Sequence, residues 1–343
     1  MSTHGHDRFA IIMAGGDGIR LRPFVRSLRQ KTLPKQYVNF IGRRTMLEHT
    51  IDRARKIFPL EQIYMVVSRD HLDIPEARAQ LARLPEENVL VQPLNRGTWT
   101  GVLLPMAKIL SACEDAKIVT FPADHFIEDE DVFLAHVAFA LIKCDESPGR
   151  MVLLGIPPDG PDPELGYILP RRARRGASAG FLSIKEFIEK PRPELAQTLL
   201  HKGAMWNTLV LAAKAKTLLN YTRLMAPELY RAFVEIKQAV GPAGDPGALE
   251  RIYRNLGEMN LSHGLLTKLP RHHPWCLLTL PVNGIVWSDW GSRRRLLATL
   301  IKTGYRFRLY RDTEERALAR TKRKNTRRAD LRRRSRTKLL SVT

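Results

Sequence analysis

The sequence predicts an α/β protein built on a doubly wound, mostly parallel sheet, together with a smaller α+β subdomain. Short apolar runs typical of buried strands alternate with segments of helical spacing over the first half of the chain. The predicted strands are residues 9–13, 63–67, 88–92, 117–121 and 151–156. Such alternation implies parallel strands joined by right-handed crossovers, with ligands bound in one crevice beyond the carboxyl ends of the strands.

Apolar spacing and one capping motif predict the helices. Thr45 and Glu48 form a capping box, because each side chain can bond to the backbone amide of the other residue. Apolar residues at helical spacing follow the box as far as residue 58. The other predicted helices span residues 74–84, 98–112, 131–143, 194–200, 214–224, 227–240, 246–256 and 292–301.

The composition is that of a globular protein with a substantial core. Of 343 residues, 44% are hydrophobic and 27% are charged, which suits one large α/β domain with an appendage. Cys113, Cys144 and Cys276 stand far apart without metal or redox spacing, which favours core cysteines in a reduced, cytoplasmic protein. No apolar run is long enough to span a bilayer, and no signal-peptide pattern follows the polar start.

The net charge of +21 is unevenly spread. Residues 311–343 contain thirteen Lys and Arg against four Asp and Glu. We therefore divide the chain into a domain at residues 1–308 and a mobile basic extension at residues 309–343. The extension either contacts a polyanion such as RNA or an anionic membrane surface non-specifically, or is a solvated tail with no partner. A second basic run, at residues 171–175, predicts an exposed loop.

A glycine turn follows the first predicted strand. Gly15, Gly16 and Gly18 lack a Cβ, so the backbone can approach a ligand closely and present its amides to an anion. Arg20 and Lys35 add two cations that suit phosphate. The turn is not a Walker A loop, and it lacks the third glycine of a dinucleotide motif. It predicts polyphosphate binding, with an ordinary surface turn as the alternative.

Two carboxylates follow apolar runs. Asp124 comes directly after the fourth strand, where it can hold Mg²⁺ for a nucleoside triphosphate. His125 beside it is either a second donor or a packed histidine. Asp289, far downstream, either completes a metal clamp or is the N-cap of the helix at residues 292–301.

Seven short segments between residues 9 and 300 carry a family pattern. They are AGGDGIRL with PKQ (14–21, 34–36), QPLNRGT (92–98), FPADH (121–125), GI leading to GYI (155–156, 166–168), FIEKP (187–191), WNT (206–208) and WSDWG (287–291). In order and spacing they resemble the sugar-1-phosphate nucleotidyltransferases, most closely the mannose-1-phosphate guanylyltransferase group. The resemblance implies a Rossmann-like nucleotidyltransferase fold, with a nucleotide-binding half at residues 9–156 and a sugar-binding half at residues 157–300.

The resemblance also implies roles for individual residues. Asp124 and Asp289 resemble the carboxylates that hold Mg²⁺, and with Arg20, Lys35 and Lys190 they form the catalytic set. The binding roles are Gly15, Gly16 and Gly18 as the nucleotide cradle, Arg20 and Lys35 on the triphosphate, Gln92, Asn95, Arg96 and Gly97 beside the base, Gly166 and Asn207 on the sugar, Glu189 on a sugar hydroxyl, and Lys190 on the sugar phosphate.

The implied reaction joins a nucleoside triphosphate, GTP in the closest group, to a sugar-1-phosphate, mannose-1-phosphate in that group, and releases pyrophosphate. Two departures from the family pattern bear on the choice of sugar and base. Thr208 and Leu209 stand where relatives often have Ser-Gly. Trp99 and Trp290 are bulky residues that either stack on a ligand or pack in the core.

A second function class stays open beside the enzyme. It is a catalytically weak protein that binds a nucleotide or nucleotide-sugar and whose basic tail holds a polyanion such as RNA. Retention of the catalytic set favours the enzyme. The residues do not determine the sugar, the base or the oligomeric state, for which a homodimer is one option. The sequence shows no hexapeptide periodicity of the kind that would indicate an appended β-helix.

Overall fold

A nine-stranded sheet organises the chain. The computed structural model describes residues 6–171, 180–241 and 244–305, so the basic extension at 309–343 and most of the basic loop at 171–175 lie outside it. The described strands are β1 (Arg8–Met13), β2 (Ile63–Ser68), β3 (Val89–Gln92), β4 (Lys117–Pro122), β5 (Phe126–Ile127), β6 (Met151–Ile156), β7 (Tyr167–Pro170), β8 (Leu182–Ile188), β9 (Met205–Lys214), β10 (Leu277–Pro281) and β11 (Trp287–Ser288).

The strand order across the sheet is β3-β2-β1-β4-β9-β6-β10-β8-β7. Neighbours among β1 to β4 are parallel, as are β6 and β10, whereas β8 and β9 run antiparallel to their neighbours. Seven of the nine strands therefore point the same way, which confirms the predicted mostly parallel sheet. β9 lies between β4 and β6, although it belongs to the second half of the sequence. Strands β5 and β11 form a separate antiparallel ribbon.

All the helices predicted from the sequence are present, and α1 and α10 add to them. In the described part of the chain the α-helices are α1 (Arg22–Arg29), α2 (Met46–Arg55), α3 (Pro75–Leu81), α4 (Gly97–Ala112), α5 (Glu130–Glu146), α6 (Pro193–His201), α7 (Ala215–Met225), α8 (Pro227–Ala239), α9 (Pro246–Asn255), α10 (Leu269–His272) and α11 (Arg293–Thr303).

Alternate residues of β1 supply two hydrophobic cores on opposite faces of the sheet. Ala10 and Ile12 belong to the core formed with α2, α3 and α5. Phe9 and Ile11 belong to the core formed with α4, α7 and α8. Because side chains alternate along a strand, one apolar run can be buried on both faces, as a doubly wound sheet requires.

Trp99 and Trp290 are core residues. Trp99 is fully buried, and its Nε1 donates to Thr222 Oγ1 at 3.1 Å. Trp290 is buried and stacks on Phe126 with ring centroids 5.1 Å apart. Packing rather than ligand stacking therefore accounts for both tryptophans.

Side-chain caps explain where two helices begin. At α2, Thr45 N donates to Glu48 Oε2 at 2.8 Å and Glu48 N donates to Thr45 Oγ1 at 3.2 Å, which confirms the predicted capping box. At α11 the N-cap is Ser292, whose Oγ accepts from Arg295 N at 3.4 Å. The N-cap interpretation of Asp289 is therefore wrong, and its carboxylate has other partners.

The three cysteines are free thiols, and Cys144 and Cys276 are buried. Burial raises the pKa of the Cys144 thiol to about 12, so this thiol stays protonated. These two residues agree with the predicted core role. None of the helices described here combines the length and apolar character needed to cross a bilayer.

Candidate functional site

The glycine turn leaves the carboxyl end of β1. Gln36 holds it in place, because its Nε2 donates to the backbone carbonyls of Ala14 at 2.9 Å and Gly16 at 2.7 Å. Gly18 has a φ of +58°, and a Cβ there would lie 3.1 Å from the backbone nitrogen of Lys35. The turn therefore requires a residue without a Cβ at this position.

A cleft of about 350 Å³ opens at the carboxyl ends of β1, β3 and β4. Segments far apart in the sequence meet there, so the strand ends do share one crevice, as expected for this kind of sheet. The predicted site residues that line it are Gly15, Gly16, Arg20, Lys35, Gln92, Asn95, Gly97, Asp124 and Asp289.

Arg96, a predicted nucleotide contact, instead points at the end of α9. Its Nε donates to the carbonyl of Tyr253 at 2.7 Å, and its Nη2 donates to the carbonyl of Arg254 at 3.2 Å. A cation at the last carbonyls of a helix satisfies groups that have no partner within the helix. In this structure Arg96 therefore ties the start of α4 to α9. Gly18, like Arg96, does not line the cleft.

Lys35 contacts both of the predicted metal-binding residues, Asp124 through its carboxylate and Asp289 through its backbone. Its Nζ is 3.1 Å from Asp124 Oδ2 and donates to the backbone carbonyl of Asp289. The Lys35 side chain is 9% exposed, so both interactions operate largely out of bulk water. The ribbon of β5 and β11 sets the spacing, because Asp124 lies two residues before β5 and Asp289 directly follows β11.

Arg295 is a site residue that sequence reasoning missed. From α11, its Nε donates to Asp289 Oδ1 at 2.8 Å and its Nη2 donates to Oδ2 at 3.1 Å. Gly291 N donates to the same Oδ1 at 2.9 Å. Burial on its own would raise the pKa of the Asp289 carboxyl, but Lys35 and Arg295 outweigh it and hold this pKa below its usual value. Asp289 is thus an oriented, ionised carboxylate.

Arg295 also joins Asp289 to an acidic pair. Its Nη1 is 2.9 Å from Asp162 Oδ2 and 2.7 Å from Glu164 Oε2. The same oxygen of Glu164 is 3.1 Å from Nη1 of Arg20. A predicted triphosphate cation is therefore linked through Glu164 and Arg295 to a predicted metal carboxylate.

His125 is a packed histidine, the second of its two sequence interpretations. Its ring is buried and meets the Trp287 ring edge-on, with centroids 5.1 Å apart. Burial lowers the pKa of His125 to about 4, against opposing contributions from Asp124 and Asp289. The ring is therefore neutral at neutral pH and adds no positive charge beside Asp124.

The loop after β3 is bonded to a second, later segment of the chain. Met259 N donates to the carbonyl of Arg96 at 2.9 Å, and Trp99 N donates to the carbonyl of Met259 at 3.0 Å. Gly97 has a φ of +83°, and a Cβ there would lie 2.5 Å from Met259 O. Glycine at this position therefore allows the two backbones to meet.

Two polar residues that flank Met259 were also missed by sequence reasoning. Glu258 and Asn260 both line the cleft. A single acidic or amide residue in a loop has no periodic signal, so no pattern could have identified them. Gln92, predicted beside the base, lines the same cleft, and in the described chain its buried Oε1 has no partner. An unsatisfied buried acceptor needs a partner from outside the protein, such as a water molecule or a polar ligand.

The predicted sugar residues come together next to this cleft. A Cβ on Gly166 would lie 2.7 Å from Glu189 Oε2, and Asn207 N donates to the carbonyl of Gly166 at 2.8 Å. Lys190 Nζ is 3.9 Å from Glu189 Oε1, yet burial outweighs this cation and raises the pKa of Glu189. Asn207 Oδ1 accepts from Leu209 N at 3.1 Å, and Leu209 lines the cleft. The two groups of residues therefore adjoin.

Backbone strain is concentrated around the same residues. Lys190, Leu209 and Trp290 have φ values of +46°, +55° and +43°. This conformation costs a non-glycine residue about 1–3 kcal/mol and often marks a functional site, although Gln30 also adopts it, at the end of α1. Leu209 stands where the family often has glycine, so the backbone keeps a glycine-like conformation despite the substitution.

Asp124 and Asp289, the predicted magnesium ligands, supply oxygen donors of the kind that this ion prefers. In the described chain, this site included, no group of three or more His, Cys, Asp or Glu is arranged to hold a metal, so the two aspartates would share an ion with phosphate oxygens. A carboxylate accepts about four hydrogen bonds. Asp289 already accepts from Gly291 and Arg295, which leaves a position on Oδ2. Mg²⁺ usually takes one or two carboxylates and completes its shell with phosphate oxygens and waters.

Comparison with known proteins identifies the family. The model of the nucleotidyl transferase family matches residues 9–302. The chain belongs to this family. The match spans both the residues that line the cleft and the predicted sugar-binding residues of this nucleotidyl transferase.

Relatives of this nucleotidyl transferase include enzymes named for one reaction. It is 32% identical over 243 residues to the mannose-1-phosphate guanylyltransferase of Escherichia coli K12, covering 68% of this chain and 48% of that one. It is 29% identical over 290 residues to the enzyme of the same name from Klebsiella pneumoniae, covering 82% and 58%. It is 26% identical over 286 residues to the alginate biosynthesis protein AlgA of Pseudomonas putida, covering 82% and 56%. The chain thus spans about half the length of these relatives.

Solved structures agree with the predicted fold. The mannose-1-phosphate geranyltransferase from Thermus thermophilus has a TM-score of 0.72 at 27% identity, with 86% of this chain and 79% of that chain covered. A UDP-glucose pyrophosphorylase complexed with UDP-glucose has a TM-score of 0.51 at 12% identity, covering 86% and 98%, and shows the fold alone. The expected Rossmann-like nucleotidyltransferase fold is therefore confirmed.

Proposed function

We propose that this nucleotidyl transferase condenses a nucleoside triphosphate with a sugar-1-phosphate, giving a nucleotide-sugar and pyrophosphate. One observation carries the proposal. The cleft that contains the glycine turn, the cations and both aspartates adjoins the cluster of Gly166, Glu189 and Asn207. A cleft suited to a triphosphate beside a cluster of residues suited to a sugar supports a reaction between the two.

The reaction needs no side-chain nucleophile, because an oxygen of the sugar-1-phosphate is already anionic. This oxygen bonds to the α-phosphorus of the triphosphate, and the bond from the α-phosphorus to the bridging oxygen breaks, so that pyrophosphate leaves with its electron pair. The difficulty is repulsion between two polyanions. Arg20 and Lys35 line the cleft and Lys190 lies at the sugar cluster, so each reactant meets a cation.

Arg20, one of the two proposed triphosphate cations, is held ready at little cost. The pair of Arg20 and Glu164 is half exposed, with side chains 50% and 43% accessible. Exposed ion pairs contribute about 0–1 kcal/mol, so Arg20 can leave Glu164 for a phosphate. Gln36 meanwhile fixes the glycine turn, so the phosphates meet a turn whose shape is already set.

Asp124 and Asp289 are the residues that would hold Mg²⁺. When bound, the ion would neutralise charge on the phosphates and on the leaving group. Arg295 and Gly291 fix the orientation of the Asp289 carboxylate before any ligand arrives. A metal ligand that is oriented by its own hydrogen bonds needs no reorganisation when the ion binds.

We assign GTP and mannose-1-phosphate as the substrates. The support comes from relatives named mannose-1-phosphate guanylyltransferase, at 32% and 29% identity. This assignment covers only the choice of base and sugar. The proposed type of reaction is supported separately, by the residues of the cleft.

A pyrophosphate-release screen tests the function and both substrate choices. The protein is incubated with Mg²⁺ and each common nucleoside triphosphate, against mannose-, glucose- and galactose-1-phosphate, with a control lacking sugar. We expect GTP with mannose-1-phosphate to react fastest and to form GDP-mannose. Release no faster than in the sugar-free control for every pair would overturn the enzyme, whereas a different fastest pair would correct only the substrates.

A further inference from the structure

Two backbone segments close the base end of the cleft. Gln92 is the last residue of β3, and the loop that follows is bonded to Met259 through the carbonyl of Arg96 and the amide of Trp99. Glu258 and Asn260 flank Met259 and therefore stand next to this loop, where both line the cleft. The polar groups of Gln92, Glu258 and Asn260 thus share the part of the cleft around Gln92, which the sequence resemblance predicts to lie beside the base.

Glu258 places a negative charge in a cleft that is proposed to bind a polyanion. An ionised carboxylate repels phosphate, so it weakens binding of a triphosphate unless it contacts another part of the ligand. Within the described chain, no hydrogen bond or ion pair occupies the Glu258 carboxylate. It is an acceptor only, and a ligand that used it would have to present hydrogen-bond donors.

Asn260 offers the opposite polarity. Its Oδ1 accepts from Ser262 N at 2.9 Å and from His263 N at 3.2 Å. These bonds fix the amide so that Nδ2, a donor, is the group left for the cleft. Gln92 adds the buried Oε1 that has no partner in the described chain. This end of the cleft thus combines two acceptor side chains with one donor.

We propose that Glu258 and Asn260 select guanine by its Watson–Crick edge. The Glu258 carboxylate accepts from N1–H and the 2-amino group, and the Asn260 amide donates to O6. The proposal rests on the proposed function, which it deepens by naming the residues that choose the base.

The balance of donors and acceptors separates guanine from the other bases. Guanine presents two donor groups and one acceptor on this edge. Cytosine presents one donor and two acceptors, uracil presents one donor between two acceptors, and adenine presents one donor and one acceptor. A wrong base leaves polar groups unpaired, which weakens its binding because those groups lose water without gaining a partner.

Substitution of Glu258 tests the acceptor. Equilibrium dissociation constants for GTP and for ITP, which lacks the 2-amino group, are measured by calorimetry without sugar. We expect the wild type to bind GTP roughly tenfold more tightly than ITP, as for one charged or bidentate base contact. Glu258→Gln should reduce this ratio to near one, whereas Glu228→Gln, on α8 and outside the cleft, should leave it unchanged.

Substitution of Asn260 tests the donor separately. Asn260→Asp keeps the oxygen that Ser262 and His263 use but replaces the donor, and its added charge weakens all triphosphates alike. We expect the preference for GTP over ATP to fall roughly tenfold, with the ratio of GTP to ITP kept, because both carry O6.

The binding measurements can reject the base-reading role without rejecting the proposed function, and the reverse. A wild type that binds GTP and ITP equally, or a Glu258→Gln variant with an unchanged ratio, overturns the base-reading role even if pyrophosphate is released. Discrimination that Glu258→Gln abolishes supports the role even if no sugar-1-phosphate reacts.

Discussion

The guanidinium of Arg295 grips both oxygens of the Asp289 carboxylate, with Nε 2.8 Å from Oδ1 and Nη2 3.1 Å from Oδ2. Such a two-point contact fixes the plane of the carboxylate as well as its charge. Because Arg295 sits on α11, the position of that helix determines the orientation of the proposed metal ligand.

Removing Arg295 should destabilise the fold. It is 9% exposed and contacts three carboxylates, Asp162, Glu164 and Asp289. Arg295→Ala would remove both guanidinium contacts from the largely buried Asp289 carboxylate, whereas Asp162 would keep Arg294 and Glu164 would keep Arg20. We expect a loss of about 3 kcal/mol in the free energy of unfolding, measured with urea. Arg294→Ala is the matched control, because Arg294 contacts Asp162 at 2.9 Å with a side chain 74% exposed, and should lose about 1 kcal/mol or less. Equal losses would contradict the prediction.

Asp124→Asn should abolish most turnover while the fold is kept. The substitution removes the charge beside Lys35 and one proposed magnesium ligand, without changing the shape of the side chain. We expect pyrophosphate release to fall by about 100-fold or more, with the free energy of unfolding changed by about 1 kcal/mol or less. Asp131→Asn, at a side chain 85% exposed, controls for charge. Turnover near the wild-type rate would remove Asp124 from the catalytic set.

Alanine at Gly97 should be costlier than alanine at another left-handed glycine. Gly97 and Gly203 have φ values of +83° and +73°, but only at Gly97 would a Cβ strike a backbone carbonyl, that of Met259, at 2.5 Å. We expect Gly203→Ala to lose about 1 kcal/mol from backbone strain alone, and Gly97→Ala to lose at least about 1 kcal/mol more. Urea denaturation of the two variants measures these losses. The same loss of unfolding free energy in both would show that the backbone at Met259 moves away from the added Cβ at no cost.

His71 should make the fold sensitive to acid. Burial lowers its pKa below 6.5, against an opposing contribution from Asp17, and its Nδ1 is 2.9 Å from the Tyr37 hydroxyl. Below about pH 6.5 the unfolded chain therefore binds a proton that the folded chain does not, and stability falls as the pH falls. We expect the wild type to lose more free energy of unfolding between about pH 7.5 and about pH 5.5 than His71→Gln does. Equal losses would exclude His71 as a source of the acid sensitivity.

Local signals in the sequence predict the elements well. The capping box of Thr45 and Glu48 and the apolar run of β1 each involve neighbouring residues, so short-range pattern is enough to predict them. The insertion of β9 between β4 and β6 could not be predicted in this way, because it depends on pairing between strands far apart in the chain.

The residues of the candidate site also fall into those that a local sequence signal predicts and those that it does not. Asp124 and Lys35 stand in motifs that name them, and the structure brings them within 3.1 Å. Arg295, Glu258 and Asn260 stand in no motif, since a buried ion pair or a lone loop residue leaves no spacing in the sequence. Arg96 shows the reverse, because a motif position is used here to hold α9 rather than to line the cleft.

The ribbon that pairs Ser288 with Phe126 has a consequence for how the protein comes to be made. Contacts between such distant parts of a chain form late, because a long loop must close before they are gained. A ribosome releases the glycine turn and Asp124 well before it adds Asp289. A growing polypeptide therefore lacks the second acidic group at first, and it acquires the complete pocket only after Asp289 has been added.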